Sequence, residues 1–177
     1  MLWSTVQIGS RTVDVCRQHS HMGCGRACAA MMLYRRRGGT KHTLPATLPH
    51  YDRLNFTSAG GVPVIDLFNW VYNVCDQRAR LWDRVRHSSL QLIRAIHSTS
   101  PRYPSIIVLE GHYVFCEGDS LSKSGAAVIL DPSGGCYYTA TITCDQTNDH
   151  LTNFSGSTGL NREVQGVIST FRGALQN

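Results

Sequence analysis

The strongest constraint on the fold is a change of hydrophobic period at Pro101 and Pro104. Upstream, apolar residues recur at three- and four-residue steps, the spacing that gathers them on one face of a helix. Downstream, short runs of β-branched and aromatic residues are separated by Gly- or Ser-rich turns, the pattern of antiparallel strands. Helices followed by strands predict an α+β domain, with N-terminal helices packed on a C-terminal antiparallel β-sheet. The 177 residues contain no internal repeat, low-complexity segment or linker. They predict one domain over 1–177, with its core at about 12–145.

Within that frame a short strand is expected around Thr12 to Val15. A buried helix is expected over 24–35, where Ala27, Met31 and Tyr34 share a stripe and Gly38-Gly39 supplies the stop. Pro45, Pro49 and Gly60-Gly61 make 40–62 a loop. Val64, Leu67, Phe68, Val71, Val74 and Cys75 predict a second helix at about 63–80, with Pro63 in its first turn. A third is expected at about 88–98, capped by Ser88 or Ser89, with Leu92, Ile93 and Ile96 inward. Then Ser105–Leu109, His112–Cys116, Ala126–Leu130 and Cys136–Thr143 read as an antiparallel meander. Leu160, Val164, Val167, Ile168 and Phe171 fall on one helical face and predict a closing C-terminal helix at about 160–172.

Composition narrows the function classes. Hydrophobic residues at 42% allow a packed core, and charged residues at 16% are too few for a disordered or coiled-coil chain. No apolar run approaches the roughly 18 residues of a membrane-spanning helix. The start, Met-Leu-Trp-Ser-Thr-Val-Gln, lacks the features of a secretory signal. Secretion by a signal-peptide-independent route, or else a cytoplasmic location, is the expectation. The net charge is +5, and the densest basic run is Arg35-Arg36-Arg37 followed by Lys41. No aromatic residues interleave with it, so it reads as a solvated helix end rather than a nucleic-acid surface. None of the seven cysteines forms a C-x-x-C pair, which argues against a zinc site, and no cofactor is implied. Most read as buried thiols of a reducing compartment.

Four residues form a chemical constellation. Cys24, in Met-Gly-Cys-Gly, stands at the start of the first long helix. A thiol at a helix N-terminus faces unpaired N–H groups and the positive end of the dipole, which favour a nucleophilic thiolate. The same position also suits a small buried side chain. Gln18, six residues earlier, can fold back to offer a side-chain N–H to the oxyanion that follows attack on an amide. His112 opens an apolar strand and is the candidate base, although the start of a strand can also face solvent. Asp131 ends the next strand, within an Asp-Pro turn signal. If the two strands are antiparallel neighbours, it stands beside His112 and can fix the imidazole.

Gln18-x5-Cys24-Gly25-x-Ala27-Cys28-x-x-Met31 resembles the nucleophile segment of papain-like cysteine peptidases. It is most similar to the double-glycine-leader peptidase domains of bacteriocin exporters and to papain-like effector proteases that plant-pathogenic bacteria inject into hosts. Gly60-Gly61-Val62-Pro63 resembles the start of that family's second helix. Pro104 to Leu109 with His112-Tyr113-Val114, and Val128 to Pro132, resemble its histidine and aspartate strands. The resemblance covers about 18–142. It implies a papain-like fold and a protease acting on a protein or peptide, with Cys24 as nucleophile, His112 as base, Asp131 as orienting acid and Gln18 in the oxyanion hole. Gly23 stands where exporter peptidases commonly carry Asp, and no transporter domain follows. Both departures point toward a stand-alone effector or toxin. A glutamine deamidase or cell-wall amidase would use the same triad, and a non-catalytic binding domain could use the same fold.

Overall fold

In the computed structural model, which describes residues 2–38, 54–55, 60–118, 126–141, 154–156 and 161–170, the chain opens with a β-hairpin. Strand β1 (Leu2–Ile8) pairs antiparallel with β2 (Arg11–Arg17), turning at Gly9 with φ 58°. The strand expected around Thr12 to Val15 is the middle of β2. The helix expected over 24–35 is α1 (Cys24–Arg37), which ends at Gly38 with φ 67°, a conformation open to glycine. From Ala27 to Met32 every residue is buried. The small alanines let neighbours close in on all sides, so a central helix replaces the single apolar stripe.

Within the basic run, Arg35 and Arg36 are not a solvated end. Arg35 pairs with the buried Glu117 at 2.5 Å, and Arg36 pairs with Asp76 at 2.5 Å. Burial acts to raise the Asp76 pKa, but the Arg78 N–H and the Arg36 guanidinium outweigh it and hold the carboxyl below its ordinary value. Burial of both faces of α1 draws these cations into pairs instead of leaving them in water.

The second helix is shorter than expected. α2 (Val64–Trp70) runs into a π-helical turn at Val71–Cys75, and Asp76 is extended. Its carboxylate accepts the N–H of Arg78 at 2.9 Å, a side-chain turn that competes with further helix. Arg80–Asp83 is then a strand, β3. α3 (Ser89–His97) matches its expected position. Ser88 caps it in a capping box with Gln91, satisfying otherwise orphaned N–H groups.

The strands β4 (Ser105–Leu109), β5 (His112–Gly118), β6 (Ala126–Asp131) and β7 (Cys136–Thr141) form the expected meander. Short strands β8 (Phe154–Gly156) and β9 (Asn161–Arg162) extend one edge. At the other side β10 (Val164–Ser169) inserts between β3 and β4. The full antiparallel order is β3-β10-β4-β5-β6-β7-β8-β9.

β10 corrects the expected closing helix at about 160–172. Val164 and Val167 lie on the sheet face toward α3, whereas Ile168 lies on the opposite face. A bulge between Val164 and Gly166 shifts the register. A strand buried on both faces shows no clean alternation, and the extra residue of a bulge turns a spacing of two into one of three. The apolar positions therefore imitate a helical face. Leu160 and Phe171 lie outside the described residues, as do Cys144, Lys41, most of the expected loop 40–62 and the last two residues of the run Cys136–Thr143.

The sheet is covered on both sides. Ile106, Val108, Tyr113, Phe115, Val128 and Leu130 face α1, α2 and the hairpin. Ile107, Leu109, Val114, Cys116, Ala127 and Ile129 face α3. This alternation is the period of two along each strand. Among the described residues no helix is long and apolar enough to cross a membrane.

Candidate active site

The start of α1 lies against the start of β5 and the end of β6. β5 and β6 are antiparallel neighbours, with Phe115 opposite Leu130. This brings the first residue of one strand to the last residue of the other. His112 Nε2 and Asp131 Oδ1 are 2.8 Å apart, and both side chains are buried. Asp131 also accepts the Ser133 N–H at 2.8 Å, and its carbonyl accepts the Gly135 N–H at 2.9 Å. The Asp-Pro turn and the contact with histidine are therefore functions of one side chain. The turn fixes the carboxylate before it meets the imidazole.

Cys24 is the first residue of α1 and is 4% exposed. Its thiol lies close enough to His112 to act on the charge of the imidazole. With Nε2 engaged by Asp131, Nδ1 is the ring nitrogen left for the sulfur. Burial acts to lower the His112 pKa, but the hydrogen bonds to Asp131 and Cys24 and their charges outweigh it and raise it to about 9. A buried imidazole flanked by a carboxylate and a thiol is thereby held as the cation at neutral pH.

Other thiols lie close by without such a partner. Burial pushes the Cys16 thiol up to about 12 and that of Cys116 to about 11. Cys28, one turn along α1 from Cys24, is also pushed up, first by burial and then by the charges of Cys24 and Asp131. Cys24 differs from them in having an imidazole against its sulfur.

Gln18 follows β2, and its N–H donates to the carbonyl of Pro132 at 2.9 Å. Its Cβ lies 3.3 Å from where a Cβ on Gly23 would stand. The absence of a side chain at Gly23 is what lets Gln18 press against the first turn of α1. Gln18 Nε2 makes one long contact, 3.5 Å to the carbonyl of His21, and Oε1 is buried without a hydrogen-bond partner. The base of the side chain lies beside the residue before Cys24, and the carboxamide is only loosely tethered. All four residues singled out in the sequence thus gather at one end of the sheet.

A cleft of about 490 Å³ opens beside Cys24 and His112. Gly60, Gly61, Val62, Val108, Leu109 and Tyr113 are among the residues that line it. The sequence showed the glycines only as chain breakers before α2. Sequence reasoning missed that Tyr113 ties that segment down: its hydroxyl donates to the Val62 carbonyl at 2.5 Å. A tyrosine within an otherwise apolar buried strand was the available signal, because a buried hydroxyl needs a partner. Among the described residues no group of three or more His, Cys, Asp or Glu could hold a metal ion. No protein-family model, curated protein or solved structure matches the chain.

Proposed function

We propose that this protein is a papain-like cysteine peptidase that hydrolyses peptide bonds in a protein or peptide substrate. The observation that carries this reading is the chain of contacts from Cys24 to His112 to Asp131 at the mouth of a cleft. The Cys24 thiolate attacks the scissile carbonyl carbon. The resulting oxyanion is held by the Cys24 N–H, which as the first of α1 has no helical carbonyl before it, and by the carboxamide of Gln18. The His112 imidazolium donates its proton to the leaving amine as the C–N bond breaks, leaving a thioester. The neutral imidazole then takes a proton from water, whose oxygen attacks the thioester and releases Cys24. Asp131 holds the ring in register throughout and stabilises its cation.

The test is a mass-spectrometric survey of new N-termini after incubation with cell lysates, with Cys24→Ala as the control. New termini that vanish in the variant are expected. The same termini in both samples would remove the peptidase reading. A loss of ammonia from glutamine side chains without new termini would replace it with deamidation.

A further inference from the structure

Tyr113 stands next to His112 on β5 and is 7% exposed. Its hydroxyl donates to the carbonyl of Val62 at 2.5 Å, a contact buried between residues 51 positions apart. Val62 in turn lies against α1. A Cβ added to Gly25 would stand 3.0 Å from Val62 Cβ and 3.4 Å from Tyr113 Cδ2. The residue after Cys24, the residue after His112 and the segment before α2 therefore meet at one point. That segment, Gly60 to Val62, lines the cleft. It belongs to none of the strands described, and the residues flanking Val62 are two glycines and a proline. Among the described residues, the Tyr113 hydroxyl is the side-chain hydrogen bond that fastens Val62 to the strand bearing the histidine.

We propose that Tyr113 is a positioning residue for the substrate: by holding Val62 it fixes the cleft wall Gly60–Val62 relative to Cys24 and His112, and so sets how an extended peptide lies against the nucleophile. The proposal rests on the reading of Cys24 as a nucleophile that meets a peptide, and it goes further in separating two properties. The reactivity of the thiol is assigned to His112 and Asp131, whereas the hydrogen bond of the Tyr113 hydroxyl goes to Val62. The seating of the peptide comes from the wall.

The experiment compares two electrophiles on wild type and Tyr113→Phe. Iodoacetamide is small enough to reach the sulfur without using the wall. A tripeptidyl fluoromethyl ketone must lie along it. Tyr113→Phe is expected to leave the iodoacetamide rate at Cys24 within about twofold of wild type, and to slow the peptidyl probe about 10- to 100-fold, the scale of a small misplacement of a bound reactant. On a peptide substrate the variant should lower kcat/KM to a similar extent, with kcat sharing in the loss. Equal rates for the peptidyl probe in both proteins would overturn the proposal. So would a parallel fall with iodoacetamide, because Tyr113 would then act on the thiol.

Should Tyr113→Phe not fold, as judged by its melting curve, Gly25→Ala takes its place. Its added methyl pushes Val62 outward while the hydroxyl remains, and the same selective loss toward the peptidyl probe is expected. An unchanged peptidyl rate there would equally overturn the proposal. A wild-type protein whose Cys24 reacts with neither probe would instead remove the peptidase reading itself, so the two failures are distinguishable.

Discussion

The backbone N–H of Gln18 donates to the carbonyl of Pro132 at 2.9 Å, tying the segment that leads to the nucleophile to the turn that follows the aspartate. This bond belongs to the main chain, so it survives a change of side chain at position 18. Gln18→Ala should therefore melt within a few degrees of wild type. It should lose about 100-fold in kcat, the usual cost of one oxyanion donor, with KM little changed. Steady-state kinetics on a peptide substrate decide it. A loss smaller than about threefold would mean that the carboxamide does not hold the oxyanion.

The His112 pKa, raised to about 9, predicts the alkaline limit of activity. Leaving-group protonation needs the imidazolium, so kcat/KM should fall as pH rises through about 9. Asp131→Asn removes one group that holds the proton, and the fall should move toward the ordinary histidine value near 6.5. A pH profile unchanged by Asp131→Asn would show that the carboxylate does not set the charge.

The same shift is linked to stability. The folded pKa lies above the unfolded one, so folding is favoured by the protonated ring below about 6.5, and that contribution disappears as pH rises through about 9. The group is 9% exposed, and the contribution is on the order of 3 kcal/mol. Urea unfolding of wild type and His112→Gln should differ more at pH 6 than at pH 10.5. The opposite trend would contradict the pairing.

Thiol chemistry separates Cys24 from its neighbours. Burial pushes Cys16, Cys28 and Cys116 up, and none of these has an imidazole against it. At neutral pH a short exposure to iodoacetamide should alkylate Cys24 before any of the three, as read by peptide mass spectrometry. In His112→Ala that preference should largely disappear.

Glu117 is 1% exposed and meets Arg11 of β2 at 2.8 Å and Arg35 of α1 at 2.5 Å. It joins the hairpin and the central helix to β5. Glu117→Ala would leave the partly buried Arg35 without its carboxylate, at a cost of about 3 kcal/mol. Chemical denaturation measures this directly. A change below about 1 kcal/mol would mean that Arg35 finds water instead.

Gly166 tests the strand that the sequence disguised. A Cβ there would stand 2.8 Å from the carbonyl oxygen of Trp82 on β3. Backbone cannot give way as a flexible side chain can, so Gly166→Ala should cost about 2 kcal/mol or more and loosen β3 from β10. Hydrogen exchange at Leu81 to Asp83 should accelerate with it. On an exposed helix face the same change would have stabilised the chain.

The sequence by itself determined the elements whose signals are local. The start of α1 at Cys24, a serine cap at the start of α3, and the four strands of the meander follow from spacing, caps and β-branched runs. The juxtaposition of His112 and Asp131 was legible too, because neighbouring antiparallel strands bring a beginning to an end. Tertiary structure alone decided the rest. β10 became a strand because burial on both faces erased its alternation and a bulge supplied a helical spacing. Arg35 and Arg36 became partly buried ion-pair partners because acids distant in sequence, Glu117 and Asp76, were folded onto their helix. The wall at Val62 acquired its clasp from Tyr113 in the same way. Local sequence sets backbone preference, but a contact between residues far apart in the chain exists only once the layers have packed.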